Sequence, residues 1–273
     1  MDEKIIAIYC LVDDLLKSMH HYENSQIKMS DSEIMTTTII ATLFFSGNFE
    51  RARFFLKSAQ YFPNMITKGR FNIRLHRISH LFLTFFEILG ETFKKLNSHS
   101  VYLIDSYPVP VCDNIRISRC KLYRSKKYRG FIASKRRYFY GLRLHLMVTK
   151  DREPVEFFLC PGSTADVNAL KVFQFDLAKG SKIYGDSAFT DYTIEDLLKE
   201  QDIYLYPVRK KNSKRLLPPP EGYFQHLYRQ NVETAGSLIN RLMPKSIHAV
   251  TSKGFELKVM LFVLAYSINC LYK

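Results

Sequence analysis

Apolar residues recur at helical spacing through the first third of the chain and then change to the short runs and alternation of strands. Residues 1 to about 97 read as helical. Ser30 to Glu33 fits a capping box, in which each side chain satisfies the other residue's free backbone N–H. The run Ile34–Phe45 that follows stops at Ser46-Gly47-Asn48. A second helix is expected over Phe49–Ala59, and Tyr61-Phe62-Pro63-Asn64 breaks it. A third, from about Lys68 to Phe86, puts Phe71, Leu75, Ile78 and Phe82 on one stripe and Arg70, Arg74 and Arg77 in an exposed row. Such a set fits a helix-turn-helix DNA reader or a plain helical bundle alike.

From Val101 the texture is that of a sheet. Val101–Ile104 is a short apolar strand closed by Asp105, and Arg137–Thr149 alternates as a second. A turn at Asp151-Arg152-Glu153 leads into a third, Pro154–Leu159. A helix over about Ala165–Leu177 follows, then a strand Lys182–Asp186, a helix Thr193–Glu200 and a strand Ile203–Val208. Pro218-Pro219-Pro220 reads as a loop before long helices at Phe224–Leu242 and Phe255–Leu271. Three antiparallel strands followed by crossover units make an α/β domain with a mixed sheet flanked by helices, the order of the ribonuclease H-like fold. The expected division is an all-helical domain at 1–97 and a ribonuclease H-like domain at 98–273, carrying a basic insertion at 113–137.

Charge narrows the partner. Across 273 residues, 40 Lys and Arg against 26 Asp and Glu give a net charge of +14, which points to a polyanion. An apolar fraction of 47% excludes a disordered chain. No apolar run reaches the length of a bilayer span, since Ser267 and Asn269 interrupt Val259–Tyr272. Asp2, Glu3, Asp13 and Asp14 argue against a signal peptide. Five scattered cysteines without a C-x-x-C pair read as reduced thiols of a cytoplasmic protein. His76 and His80, four apart, have no third ligand nearby and read as ordinary helix-surface residues.

The positive charge is local. The stretch Arg116–Arg137 holds ten basic residues and no acid: Arg116, Arg119, Lys121, Arg124, Lys126, Lys127, Arg129, Lys135, Arg136 and Arg137. Tyr123, Tyr128 and Phe131 are interleaved with them, and Arg209, Lys210, Lys211, Lys214 and Arg215 form a second cluster. Cations attract phosphate backbones by counterion release, and the rings offer stacking surfaces, so nucleic acid is the expected partner.

Acids at strand ends supply candidate chemistry. Asp105 and Asp186 each close an apolar strand, where a carboxylate is costly unless something cationic meets it. Gly185 would leave room beside Asp186 for a ligand. Two carboxylates held together call for protonation or a divalent metal, and in a phosphate-binding chain Mg²⁺, with its preference for oxygen, suits better. Glu233, beside the stripe Val232, Ala235, Ile239 and Leu242, is the third candidate. Arg229, one turn earlier, is placed to orient it or to hold a phosphate.

These stretches resemble the DDE transposases of bacterial insertion sequences. The resemblance rests on Tyr102-Leu103-Ile104-Asp105-Ser106, Tyr184-Gly185-Asp186-Ser187-Ala188-Phe189 and Arg229-Gln230-Asn231-Val232-Glu233. Phe44–Asn48, Phe62–Met65 and Phe71–Leu75 extend it to one of the smaller families of these elements. It implies a ribonuclease H-like core in which Asp105, Asp186 and Glu233 are catalytic and bind two Mg²⁺ ions, with Mn²⁺ as substitute. The Y-x-x-R-x-x-x-E-x6-K signature of related families is met at Arg229 and Glu233. His226 stands at its Tyr position and Asn240 at its Lys position, with Tyr228 and Arg241 close by. Gly162–Asp166 also looks like a family element, with Asp166 read as a helix cap. The implied activity cuts phosphodiesters at the element's ends and joins the 3′-hydroxyls to target DNA. Its partners would be double-stranded DNA, terminal inverted repeats and target alike, and a second copy in a homodimer. Alternatives are a metal-dependent nuclease without strand transfer and a non-enzymatic DNA-binding protein; a membrane-surface protein fits the mixed pattern poorly.

Overall fold

The computed structural model describes residues 1–132 and 135–272. Two compact units divide the chain, one comprising Met1–Phe86 with Ile239–Lys273 and the other Glu87–Leu238.

In the first unit, α1 (Asp2–Ser18) buries Ile5, Ile8, Val12 and Leu16, one stripe at helical spacing. The expected capping box opens α2 (Asp31–Phe44), with Ser30 and Glu33 bonded reciprocally. α3 (Phe49–Ser58) and α4 (Lys68–Arg77) follow. The helix expected to reach Phe86 stops at Arg77 instead, and α5 (Ser79–Leu96) starts afresh. The Ser79 hydroxyl bonds the His76 carbonyl at that break, a side-chain competitor for the backbone ladder. The exposed arginine row is also interrupted. Arg74 turns inward to the Met29 carbonyl and Asp31, leaving Arg70 and Arg77 exposed. His76 and His80 are exposed on separate helices.

The division expected at 97/98 falls elsewhere at the C-terminal end. Helix α9 (Ser252–Cys270) is buried from Val259 through Ile268 and packs against α2 in the first unit. A helix apolar on all sides must be enclosed by other elements, which accounts for its place in the helical core. Gly47, at φ +76°, lets the Phe262 ring come close.

The second unit holds a mixed sheet. Its strands are β1 (Val101–Cys112), β2 (Arg129–Ile132), β3 (Arg137–Thr149), β4 (Pro154–Pro161), β5 (Lys182–Gly185) and β6 (Tyr204–Pro207). Among the described residues the order is β2-β3-β1-β5-β6, with β4 also on β3. β1, β3 and β4 are antiparallel, whereas β5 and β6 run parallel to β1. β1 does not end at Asp105. It continues to Cys112 because β3 pairs with it from Tyr102↔Thr149 to Cys112↔Tyr140, and the prolines at 108 and 110 do not stop the ladder.

Three further differences concern local elements. β2 was hidden in the sequence by its charge, and it pairs with the first four residues of β3. The helix expected over 165–177 shrinks to α6 (Asp166–Ala169). Beyond it Phe173 packs edge-on against Phe158, and Gln174 N–H donates to Glu156, so this segment is tied to β4 rather than coiled on itself. α7 (Tyr192–Glu200) precedes β6, and α8 (Pro219–Leu242) starts inside the proline run expected as loop. Proline suits a first helical position, whose N–H has no partner in any case. Among the described residues no helix is long and apolar enough to cross a membrane.

Candidate active site

Alternate residues of a strand share a face, so Asp105 and Tyr107 project together from β1. Asp105 Oδ1 accepts from the Ser106 N–H at 2.7 Å, and Tyr107 lies within hydrogen-bonding reach of the same carboxyl. Burial pushes the Asp105 carboxyl up to about 7, and the negative charges of Asp166 and Asp186 push the same way. Tyr107 is itself held far towards its neutral form by burial and by the charge of Asp105, with a further contribution from Glu233.

Asp186 reaches this site through the parallel pairing of β5 with β1. Ile104 lies opposite Gly185, so the next residue of each strand is an acid. Asp186 is exposed and accepts from the Ser187 N–H at 2.6 Å, capping the short turn Ser187–Phe189. Gly185 leaves no ligand space. A Cβ there would stand 2.8 Å from Ile104 Cγ1 and 3.3 Å from the Phe189 ring, so the missing side chain makes room for the core.

Glu233 comes from α8, which polar ties dock across the sheet. Glu221 holds Lys182 at 2.7 Å and the Tyr184 hydroxyl at 2.5 Å. Gln225 donates to the Gly185 and Tyr206 carbonyls, and Asn231 to the Lys150 carbonyl. The Tyr107 hydroxyl donates to the Val232 carbonyl, and its ring fills the space where Gly236 has no side chain. Val232 and Ala235 are buried, while Glu233 is exposed. Tyr107 thus stands between Asp105 and Glu233, a linking residue that the sequence reading missed although it lies two positions from a singled-out acid. The Arg229 side chain lies outside the described residues, and so does any contact with Glu233. His226 is exposed.

The three acids do not form a closed ligand set. Among the described residues, the group whose ligating atoms all lie within 4.8 Å of one another is His21, Glu23 and Asp31, in the helical unit. Asp186 and Glu233 are exposed, whereas Asp105 is half-buried and held by the Ser106 N–H. The donor set nonetheless fits a hard cation: all oxygen, with the desolvated Asp105 carboxyl feeling the charge of Asp186.

A further acid, Asp166, acts on Asp105 through its charge. It is not the cap expected from its sequence position, since Ala165 is the N-cap of α6 and no side chain caps that turn. Its carboxylate faces Arg143 Nη1 at 3.6 Å and His145 Nδ1 at 3.9 Å. Burial, and then Arg143, hold the His145 ring down to about 4 and hence neutral. These three residues left no sequence signal other than the acid itself.

The basic candidates divide. All ten cations between Arg116 and Arg137 are exposed. Arg119, Lys121, Arg124, Lys126 and Arg129, with Tyr140, line an acid-free cavity of about 680 Å³. Lys210 and Lys211 are exposed as well. Arg209 is instead half-buried in a two-point ion pair with Glu195, at 2.8 and 2.5 Å, and lies over the Tyr192 ring. That pairing withdraws it from the solvent-facing cluster.

Comparison with known proteins gives three findings. Residues 95–218 match the family described as transposase DDE domain, a span that includes Asp105, Asp166 and Asp186 and ends before Glu233. Comparison with curated proteins gives no match. Among solved structures, the chain is similar to a piggyBac transposase in a synaptic complex with hairpin DNA, at 12% identity and a TM-score of 0.46, covering 100% of this chain and 72% of that one. A DDE domain implies dependence on a divalent metal ion. The family match makes residues 95–218, somewhat less than half of the chain, similar to a transposase DDE domain.

Proposed function

We propose that the protein is a DNA transposase of the insertion-sequence type, built on a ribonuclease H-like sheet, with Asp105, Asp186 and Glu233 as its catalytic acids. The observation that carries this reading is Asp105: a carboxyl fixed in mid-sheet, pushed by desolvation up to about 7, with the next residue after the paired strand β5, Asp186, adding a second negative charge. Such a site favours a divalent cation, and the oxygen-only donors favour Mg²⁺, with Mn²⁺ as substitute. The antiparallel β4-β3-β1 set extended by parallel β5 and β6 supports the ribonuclease H-like assignment.

When bound, two such ions activate the attacking oxygen and offset the charge on the leaving one. The chain's own residues prepare the place. The Ser106 N–H and Tyr107 fix Asp105, the Ser187 N–H fixes Asp186, and the ties along α8 set where Glu233 emerges. The exposed cations of 116–137, with Lys210 and Lys211, hold the DNA backbone. Water then attacks phosphorus at the element's end, breaking the P–O3′ bond and freeing a 3′-hydroxyl and a 5′-phosphate. That hydroxyl attacks a target phosphodiester in line, and one P–O bond forms as another breaks. Residues 1–97 would bind the terminal inverted repeats, two copies would pair the two ends, and the reaction would proceed in the cytoplasm.

The test is cleavage and strand transfer on end-bearing DNA with Mg²⁺. Asp105→Asn and Asp186→Asn are expected to lose cleavage while retaining DNA binding. Cleavage at the wild-type rate in either variant would overturn the reading. Wild-type cleavage without joined product would make the protein a nuclease.

A further inference from the structure

The chain leaving β6 forms a short strap, residues 208–215, fastened to the first turn of α7 by ties around Tyr192. The Arg209 guanidinium lies 5.4 Å and that of Arg215 4.8 Å from the centre of the Tyr192 ring, within the range of cation–π attraction. Each guanidinium is also held at two points by an acid of α7: Arg209 by Glu195, and Arg215 by Asp196 at 2.7 and 2.8 Å. The Ser213 hydroxyl donates its one proton to the Arg215 carbonyl at 2.9 Å. The Tyr192 hydroxyl therefore donates to Ser213 Oγ at 2.9 Å, and it accepts from the Lys214 N–H at 3.2 Å. A turn from the Ser213 N–H to the Lys210 carbonyl, at 2.9 Å, closes the strap on itself.

These ties divide the basic cluster. Arg209 and Arg215 are answered by Glu195 and Asp196, whereas among the described residues no carboxylate pairs with Lys210, Lys211 or Lys214. All three lysines are exposed. A cation on a loose loop loses backbone and side-chain freedom when it meets a ligand. Here the backbone that carries the lysines is already ordered, which lowers that cost. The strap is also placed beside a candidate acid. The Val208 N–H donates to the Gly185 carbonyl at 3.0 Å, next to the Gly185↔Pro207 pair, so the strap and Asp186 leave the sheet together. Asp186 and Tyr192 lie on one connection, from β5 to α7.

We propose that residues 208–215 are a preset strap that contacts the phosphates of duplex DNA beside the Asp186 turn, with Lys210, Lys211 and Lys214 as its contacts and Tyr192 as the residue that positions them. Arg209 and Arg215 are its fasteners rather than DNA contacts. This rests on the reading of DNA as the chain's substrate. The other account, a clamp that only steadies the fold beneath solvated lysines, predicts different results.

Binding of the full chain to a mixed-sequence DNA duplex over a KCl series separates them, because each phosphate contact adds about one to the slope of log affinity against log salt. Lys210→Met, Lys211→Met and Lys214→Met together should lower that slope by about 2 to 3. Tyr192→Leu leaves every charge in place, yet should lower it by about 1 to 2. Tyr192→Phe, which keeps the ring and loses the two hydroxyl bonds, should fall between Tyr192→Leu and the wild type. Added to the triple-lysine variant, Tyr192→Leu should change the slope no further. A further drop there would place the effect of Tyr192 elsewhere and overturn its positioning role. A lower melting temperature for Tyr192→Leu with the wild-type slope would make the clamp structural and overturn it too. The triple-lysine variant changes exposed side chains alone, so a wild-type slope in it sinks the strap whatever Tyr192→Leu does to folding. If the wild type binds DNA with a salt slope that no strap variant alters, only the strap fails. If the wild type binds no DNA, the reading of DNA as substrate fails with it.

Discussion

Two acids in this chain are shielded from water in opposite company. Asp31, at the start of α2, is ion-paired with Arg74 and meets His21 Nε2 at 3.0 Å. Its own N–H donates to Glu23 at 2.6 Å. The grouping of His21, Glu23 and Asp31 has the compactness of a metal site, yet the guanidinium already supplies the positive charge. Asp105 instead feels the negative charges of Asp166 and Asp186. Compactness alone therefore does not mark a cation site. What distinguishes the two is whether the fold has answered the charge from within, and at Asp105 it has added to it.

That contrast can be broken by substitution. Asp105→Asn should reduce DNA cleavage about a thousandfold or more, the loss of several kcal/mol of transition-state stabilisation. Cleavage assays with Mg²⁺ measure it, and no loss would put Asp105 in the same class as Asp31. Arg74→Met should strip Asp31 of its partner and lower stability by about 3–5 kcal/mol. Urea unfolding reads that value, and a negligible change would show the network to be ornamental to the helical unit.

The third test is a titration. A carboxyl raised to about 7 in the fold and ordinary in the unfolded chain binds its proton more tightly when folded. Its penalty on folding is absent below the ordinary carboxylate range, grows as pH rises, and is complete above about 7. In the metal-free protein, Asp105→Asn should thus gain on the wild type between about pH 4 and 7, by roughly 3 kcal/mol once residual water contact is discounted. A pH-independent difference would show that Asp105 is not desolvated. The smallest effect is at the joint to α8. Gly236→Ala presses on the Tyr107 ring, and after the gain in helix propensity the net loss should be about 1 kcal/mol in urea unfolding. A stabilised variant would mean that Tyr107 moves freely.

What the sequence made legible was whatever is written in a single stretch. The capping box at Ser30–Glu33 and strand β3 at Arg137–Thr149 appear where local pattern puts them. Asp105 and Asp186 stood out because each interrupts an apolar run. The neighbours of Asp166 did not. Arg143 and His145 meet it because β4, which leads to Asp166, pairs with β3. The inward turn of Arg74 was hidden likewise, because an arginine at helical spacing reads as exposed until the loop carrying Met29 is laid over it. Asp166 was misread because a helix start is the common place for a capping acid, whereas here that helix has only four residues.

One edge of β3 is divided between two tenants. Residues 137–140 pair with β2, and residues 142–148 pair with β4, with Gly141 at the junction, where any side chain would collide with the β1 backbone. The consequence is modular. The pairings that set the register of Asp105 lie wholly on the β4 side of the junction, so a relative can lengthen, shorten or exchange the basic excursion without shifting the acid by a single rung. The charge and shape of the basic excursion can then diversify on one side of Gly141 while the surroundings of Asp105 on the other stay unchanged.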